Sequence, residues 1–176
     1  MDFAEWAFYL ARHYDLTIQQ CRKSLELAPE FPWAHYQLGL VYERTGRVSE
    51  AVQEFMKAEE LFGMSQDRLT ELRKVYHQSA EKGYWRKILA FWEEVSKHPR
   101  KFGSTSGYGL FDYMQNAAVA GVQVRLGEFD AALESLERGY ANHEAELIYL
   151  KVDPYWDGLR SDPRFQDLVR RVGIPQ

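Results

Sequence analysis

The stretch YDLTIQQCRKSLELAP (14–29) aligns with RVSEAVQEFMKAEELFG (47–63) at one constant offset. Tyr14 matches Val48, Ile18 matches Val52, Cys21 matches Phe55, Ser24 matches Ala58, Leu27 matches Leu61 and Pro29 matches Gly63. A period of about 34 residues restricts the fold more than any other feature, because each period holds one pair of helices that can bury its apolar face only against a neighbouring pair. GYWRKILAFWEEV (83–95) and GEFDAALESLERGY (127–140) repeat the theme, each placing a glycine before an aromatic-led amphipathic segment. The step from Gly46 to Gly83 is thus close to the period, and the longer step from Gly83 to Gly127 is taken up by the loop around KFGSTSGYG.

Small residues are the second constraint. Gly39, Ala51 and Ala58 stand among bulky apolar neighbours in YQLGLVYERTGRVSEAVQEFMKAEELFG (36–63), although glycine inside a helix costs about 1 kcal/mol relative to alanine. The helices therefore need close approach at these points, with Tyr42 and Phe55 wedged into the space. Gly46 has a separate role: it ends a helix in the left-handed conformation that glycine adopts cheaply and lets the chain reverse.

Periodicity predicts helices over 2–12, 15–28, 31–44, 48–62, 66–81, 85–97, 109–126 and 129–141. In the tail VDPYWDGLRSDPRFQDLVRRVGIP, two Asp-Pro pairs supply an acidic cap followed by proline at the first helical position. Asp153-Pro154 and Asp162-Pro163 are therefore predicted to start two short helices, the second carrying Phe165, Leu168 and Val169 on an apolar side. A repeat stack needs a cover on its last face, and this tail is read as that cover.

Leu38, Gly39, Tyr42, Gly46, Ala51, Phe55 and Ala58 follow, in order, the signature positions of the tetratricopeptide repeat family, which this unit resembles. The other units depart from the pattern: Thr17 and Ser24 replace alanines in the first, Ile88 and Val95 fill small positions in the third, and Gln123 replaces an aromatic in the fourth. The resemblance implies an all-α fold, a right-handed α-α superhelix of three to four hairpins closed by a capping segment. It divides a single domain, 1–176, into repeats at about 1–30, 31–64, 65–98 and 109–142 with a cap at 143–176. The residues Asp153, Pro154, Asp157, Leu159, Arg160, Asp162, Pro163, Arg164, Phe165 and Leu168 also resemble a closing phrase of bacterial tetratricopeptide proteins, often the C-terminal parts of larger regulators. Met1 falls at the fourth position of a repeat, which is read as a chain cut from a longer protein.

Composition excludes several classes. One cysteine, Cys21, allows no internal disulfide and matches an interior position of the next repeat, which fits a reducing, cytoplasmic setting. No apolar run approaches the roughly 18 residues of a membrane span. Net charge is −4 with signs interspersed, which offers no broad field for nucleic-acid phosphates. Of His13, His35, His77, His98 and His143, no two have the i, i+4 spacing of a helical metal site, and NHEAE (142–146) reads as a solvated turn. Without a visible nucleophile–base arrangement, no catalytic residue, metal or cofactor is assigned.

The resemblance implies function through the groove lined by the first helix of each pair. Carrying the family's groove positions onto this chain gives Trp6, Tyr9 and Leu10, then Trp33, Tyr36, Leu40, Glu43 and Arg44, then Arg73 and His77. An aromatic groove with a few charges fits an apolar or amphipathic peptide or protein partner, though the same aromatics can pack on one another, or drive self-association. Repeats that clamp a peptide carboxylate use Lys and Asn where this chain has Asp2, Trp6 and Gln37, so that mode is not implied. The leading expectation is a non-catalytic scaffold, the interaction or sensory part of a larger bacterial regulator. The alternative is a phosphate- or nucleotide-binding regulatory domain using the glycine-rich loop 98–109, with Arg100, Lys101, Ser104 and Thr105 as contacts.

Overall fold

A computed structural model describes residues 3–97 and 116–173. Among these the regular structure is entirely helical, and contacts gather the chain into two compact units, Met1–His77 and Gln78–Gln176.

The first unit holds α1 (Phe3–Leu10), α2 (Tyr14–Leu27), α3 (Pro32–Arg44), α4 (Val48–Leu61) and the opening of α5 (Gln66–Lys97). α1 pairs with α2, α3 pairs with α4, and α2 packs on α3 to join the two hairpins. Predicted and observed boundaries agree within a residue or two, because the reversals are local. After α3, Gly46 takes φ +77°, its N–H bonds the Glu43 carbonyl at 3.2 Å, and the Arg47 N–H bonds the Tyr42 carbonyl at 2.8 Å. Arg12, at the matching position one repeat earlier, ends α1 in the same way with φ 62°, donating to Tyr9 at 2.9 Å while His13 donates to Phe8 at 2.9 Å. A residue with a Cβ thus occupies the slot that glycine fills in the next hairpin.

Gly39 is the tight point of the α3–α4 hairpin. A Cβ built there would lie 2.6, 2.7 and 2.9 Å from three ring atoms of Phe55, which is 2 % exposed. The missing side chain is the space in which the ring sits. Ala51 and Ala58 are buried beside it.

The first hairpin solves the same problem with polar groups. In the repeat register, Glu5, Cys21 and Ser24 are the counterparts of Gly39, Phe55 and Ala58. Glu5 is buried and accepts a hydrogen bond from the Ser24 hydroxyl, and the Cys21 thiol points to the Gln37 Oε1 of α3 at 3.9 Å. Burial, with Glu5 nearby, pushes the Cys21 thiol up to about 12, so it stays protonated at neutral pH.

α5 corrects one expectation. The sequence reading separates helices at 66–81 and 85–97, with Gly83 marking the second start, whereas Gly83 is helical and the break lies at Ala80 (φ 52°, ψ −153°). Tyr84, Trp85, Ile88, Phe91 and Trp92 are buried in helical spacing. Holding Tyr84 and Trp85 in that register requires a helical turn before them, so the irregular residue is displaced upstream of Gly83.

The second unit also contains α6 (Asn116–Leu126), α7 (Phe129–Ala141), two 3-10 helices (Ala145–Tyr149 and Pro154–Leu159) and α8 (Pro163–Val172). The expected helix 109–126 is described only from Asn116 onward. α6 and α7 form a hairpin, with α8 and the first 3-10 helix on α7 and the second 3-10 helix on α6. Gln123, in place of the expected aromatic, hydrogen-bonds the buried Ser135 across the hairpin at 2.7 Å, and Arg138 donates to the same hydroxyl at 2.8 Å. Both Asp-Pro starts form as read: Asp153 accepts from the Tyr155 N–H and Asp162 from the Arg164 N–H, each at 2.8 Å. Phe165 and Leu168 turn α8's apolar side into the interior. Tyr155 fills the notch at Gly121, where a Cβ would come within 2.2 Å of its ring. The Arg125 guanidinium lies 4.1 Å from the Trp85 ring centre and 4.2 Å from that of Tyr155.

Candidate functional site

All ten residues assigned to the groove fall in the first unit. α1 carries Trp6, Tyr9 and Leu10, α3 carries Trp33, Tyr36, Leu40, Glu43 and Arg44, and the opening of α5 carries Arg73 and His77. They do not share one environment. Tyr9 (0 % exposed) and Leu40 (2 %) are interior and present no surface to a partner. Trp6, Leu10, Trp33, Tyr36, Glu43 and Arg44 are partly exposed, whereas Arg73 and His77 are fully on the surface.

The partly exposed aromatics are held by other rings. Trp6 stacks on Tyr9 with centroids 5.4 Å apart. Trp33 meets Phe62 edge-on at 5.0 Å and Tyr36 at 6.0 Å, while Tyr36 meets Phe55 at 5.5 Å. Each ring thus has one face fixed by packing and part of its area toward water, an arrangement that costs little entropy when another apolar group covers it. Arg44 and Glu43 approach to 3.8 Å at the C-terminal end of α3.

His35 sets how α3 meets α4. Its Nδ1 lies 2.6 Å from Glu54 Oε2 and its Nε2 3.2 Å from the Pro29 carbonyl, joining α3, α4 and the α2–α3 connection. The bond to Glu54 raises the pKa of His35 above its usual value, against the opposing effect of burial.

Adjacent acids on an amphipathic helix are ordinarily solvated residues, which makes Glu59-Glu60 unusual. Glu60 is such a residue, bonded to Lys57 and Gln66 at 3.1 Å each. Glu59 is instead 6 % exposed, and burial pushes its carboxyl up to about 8. The repeat register carried the signal, since its counterpart one repeat earlier is the apolar Leu25.

The NHEAE connection is also more ordered than a solvated turn. Glu144 accepts from the backbone N–H groups of Asn116 (2.8 Å) and Ala117 (3.0 Å), the first described residues of α6, and from the Asn116 side chain at 2.6 Å. It thereby ties the connection after α7 to α6. Among the described residues no group of three or more His, Cys, Asp or Glu could hold a metal ion, and no helix is long and apolar enough to cross a membrane. The glycine-rich loop 98–109, with Arg100, Lys101, Ser104 and Thr105, lies outside the described residues.

Neither the comparison with curated proteins nor that with solved structures finds a match. The family model described as tetratricopeptide repeat matches residues 21–53, which span the second half of α2, all of α3 and the start of α4, and the helical hairpins around it are consistent with a tetratricopeptide-like helical repeat, a repeat type that generally mediates protein–protein contacts.

Proposed function

We propose that the chain is a non-catalytic scaffold that docks a peptide or protein segment on the surface carried by α1 and α3, within a larger bacterial regulator. Trp6, Trp33 and Tyr36 supply the apolar contact area; Arg44, Arg73 and His77 supply charge around it. The observation that carries the reading is the partial exposure of Trp33 and Tyr36 on α3, a helix that lies wholly within the family match over 21–53 and opens a hairpin. Rigid aromatic anchors with arginine nearby are the side chains that dominate interface energies. The regulator context is supported by the tail residues Asp153 to Leu168, which resemble the closing phrase of such proteins.

The test is peptide-library selection on the intact chain, followed by titration of selected peptides against wild type and Trp33→Ala. The expected result is a loss of at least tenfold in affinity with far-UV circular dichroism unchanged. Selected peptides that bind Trp33→Ala and Trp6→Ala as tightly as wild type would remove this surface from the proposal.

A further inference from the structure

Two titratable groups bear on α4, His35 through its contact with Glu54 and Glu59 through its burial on the helix itself. The His35 ring places both nitrogens against acceptors, Glu54 Oε2 at 2.6 Å and the Pro29 carbonyl at 3.2 Å. A neutral imidazole has one N–H and satisfies one acceptor; the imidazolium satisfies both. The charged groups acting on it are Glu54 and Lys57, both from α4, while the α2–α3 connection contributes only the Pro29 carbonyl. Glu59, just over one turn beyond Glu54, is buried on the same helix. Burial is what acts on its carboxyl, and Lys57 and Glu60, its nearest charged neighbours along α4, pair with each other. A buried carboxyl without a cation is retained as the neutral acid.

We infer that α4 is a proton-held latch: the packed first unit keeps one proton on the Glu59 carboxyl and another on the His35 ring, and its α3–α4 hairpin loosens as the solution turns alkaline.

The two effects have the same sign. Glu59 titrates near 8 in the folded chain against 4.5 for an ordinary glutamate. Between those values the folded state holds a proton that the unfolded state releases, so stability is greatest on the acid side and falls as pH rises. His35 is raised above 6.5, so its contribution is complete below 6.5 and is lost as pH climbs through the higher folded value. Each retained proton makes the opening constant grow about tenfold per pH unit within its window.

Hydrogen exchange of the full chain tests this, read on the segment 48–61 between about pH 5 and 8.5 and corrected for intrinsic exchange. Wild type is expected to lose about tenfold protection per unit from about pH 5, more steeply just above 6.5. Glu59→Gln should remove the slope below 6.5, and His35→Gln should remove the added steepness above it. Where Glu59→Gln does not fold, Glu59→Met carries the same expectation, being uncharged at every pH. A flat wild-type profile, or profiles of the Glu59 variants parallel to wild type, would overturn the latch.

Discussion

Replacing Gly39 with alanine sets two effects against each other, and the structure decides between them. On helix propensity alone Gly39→Ala should stabilise by about 1 kcal/mol. Against this, the new Cβ would meet three atoms of the Phe55 ring at 2.6, 2.7 and 2.9 Å. Ordinary carbon contacts begin near 3.5 Å, so the ring must retreat by about 1 Å. It has nowhere easy to go: Phe55 is 2 % exposed and the Tyr36 ring stands 5.5 Å away. Overpacking of a closed site costs about 1–3 kcal/mol, and a broadside clash with a backed ring belongs at the upper end. The net expectation is a destabilisation of about 2 kcal/mol. A double-mutant cycle in urea, followed by circular dichroism, supplies the control. In a Phe55→Leu background the clash is gone, and Gly39→Ala should be neutral or stabilising by up to about 1 kcal/mol, a coupling of about 2–3 kcal/mol. If Gly39→Ala stabilises the wild-type chain, or if the coupling is under about 0.5 kcal/mol, the notch does not explain the glycine.

Further expectations come from other named positions. Gly121→Ala drives a Cβ to within 2.2 Å of the Tyr155 ring and should displace the closing segment, costing about 2–3 kcal/mol and raising hydrogen exchange over 153–159 more than over α7. Arg12→Gly relieves a left-handed residue at the end of α1, and should stabilise the first unit by about 0.5–1 kcal/mol in the same urea assay; a loss of stability would contradict the equivalence with Gly46. Asp153→Ala removes the acceptor of the Tyr155 N–H and should cost about 1 kcal/mol, with Asp153→Asn recovering most of it; equal losses in the two variants would show that the cap does not matter.

Local rules account for what was legible. Helix spacing, the reversal at Gly46 and the starts at Asp153 and Asp162 all depend on hydrogen bonds between near neighbours, and those partners are close together in the sequence. The repeat register likewise made the fit between Gly39 and Phe55 foreseeable, because close packing of two helices pairs a small residue on one with a large residue on the other. The candidate surface was legible only in outline. Family positions propose the helices that would carry it, and of the residues they name Tyr9 and Leu40 are buried, since a helix turned by a modest angle against its neighbour exchanges exposed positions for buried ones.

The sequence by itself determined the helical class, the hairpin period and the points of reversal, each a matter of backbone preference and residue size along the chain. Only the tertiary structure decided that Tyr155 occupies the notch at Gly121, that the break in α5 falls at Ala80, that Glu5 and Ser24 hydrogen-bond where the next hairpin has Gly39 and Ala58, and that Glu59 is buried on the helix that also carries Glu54, the partner of His35. The physical reason is common to all four. Burial and the protonation state that follows from it are set by atoms brought close in space from separate helices, and no short window of sequence contains both sides of such a contact.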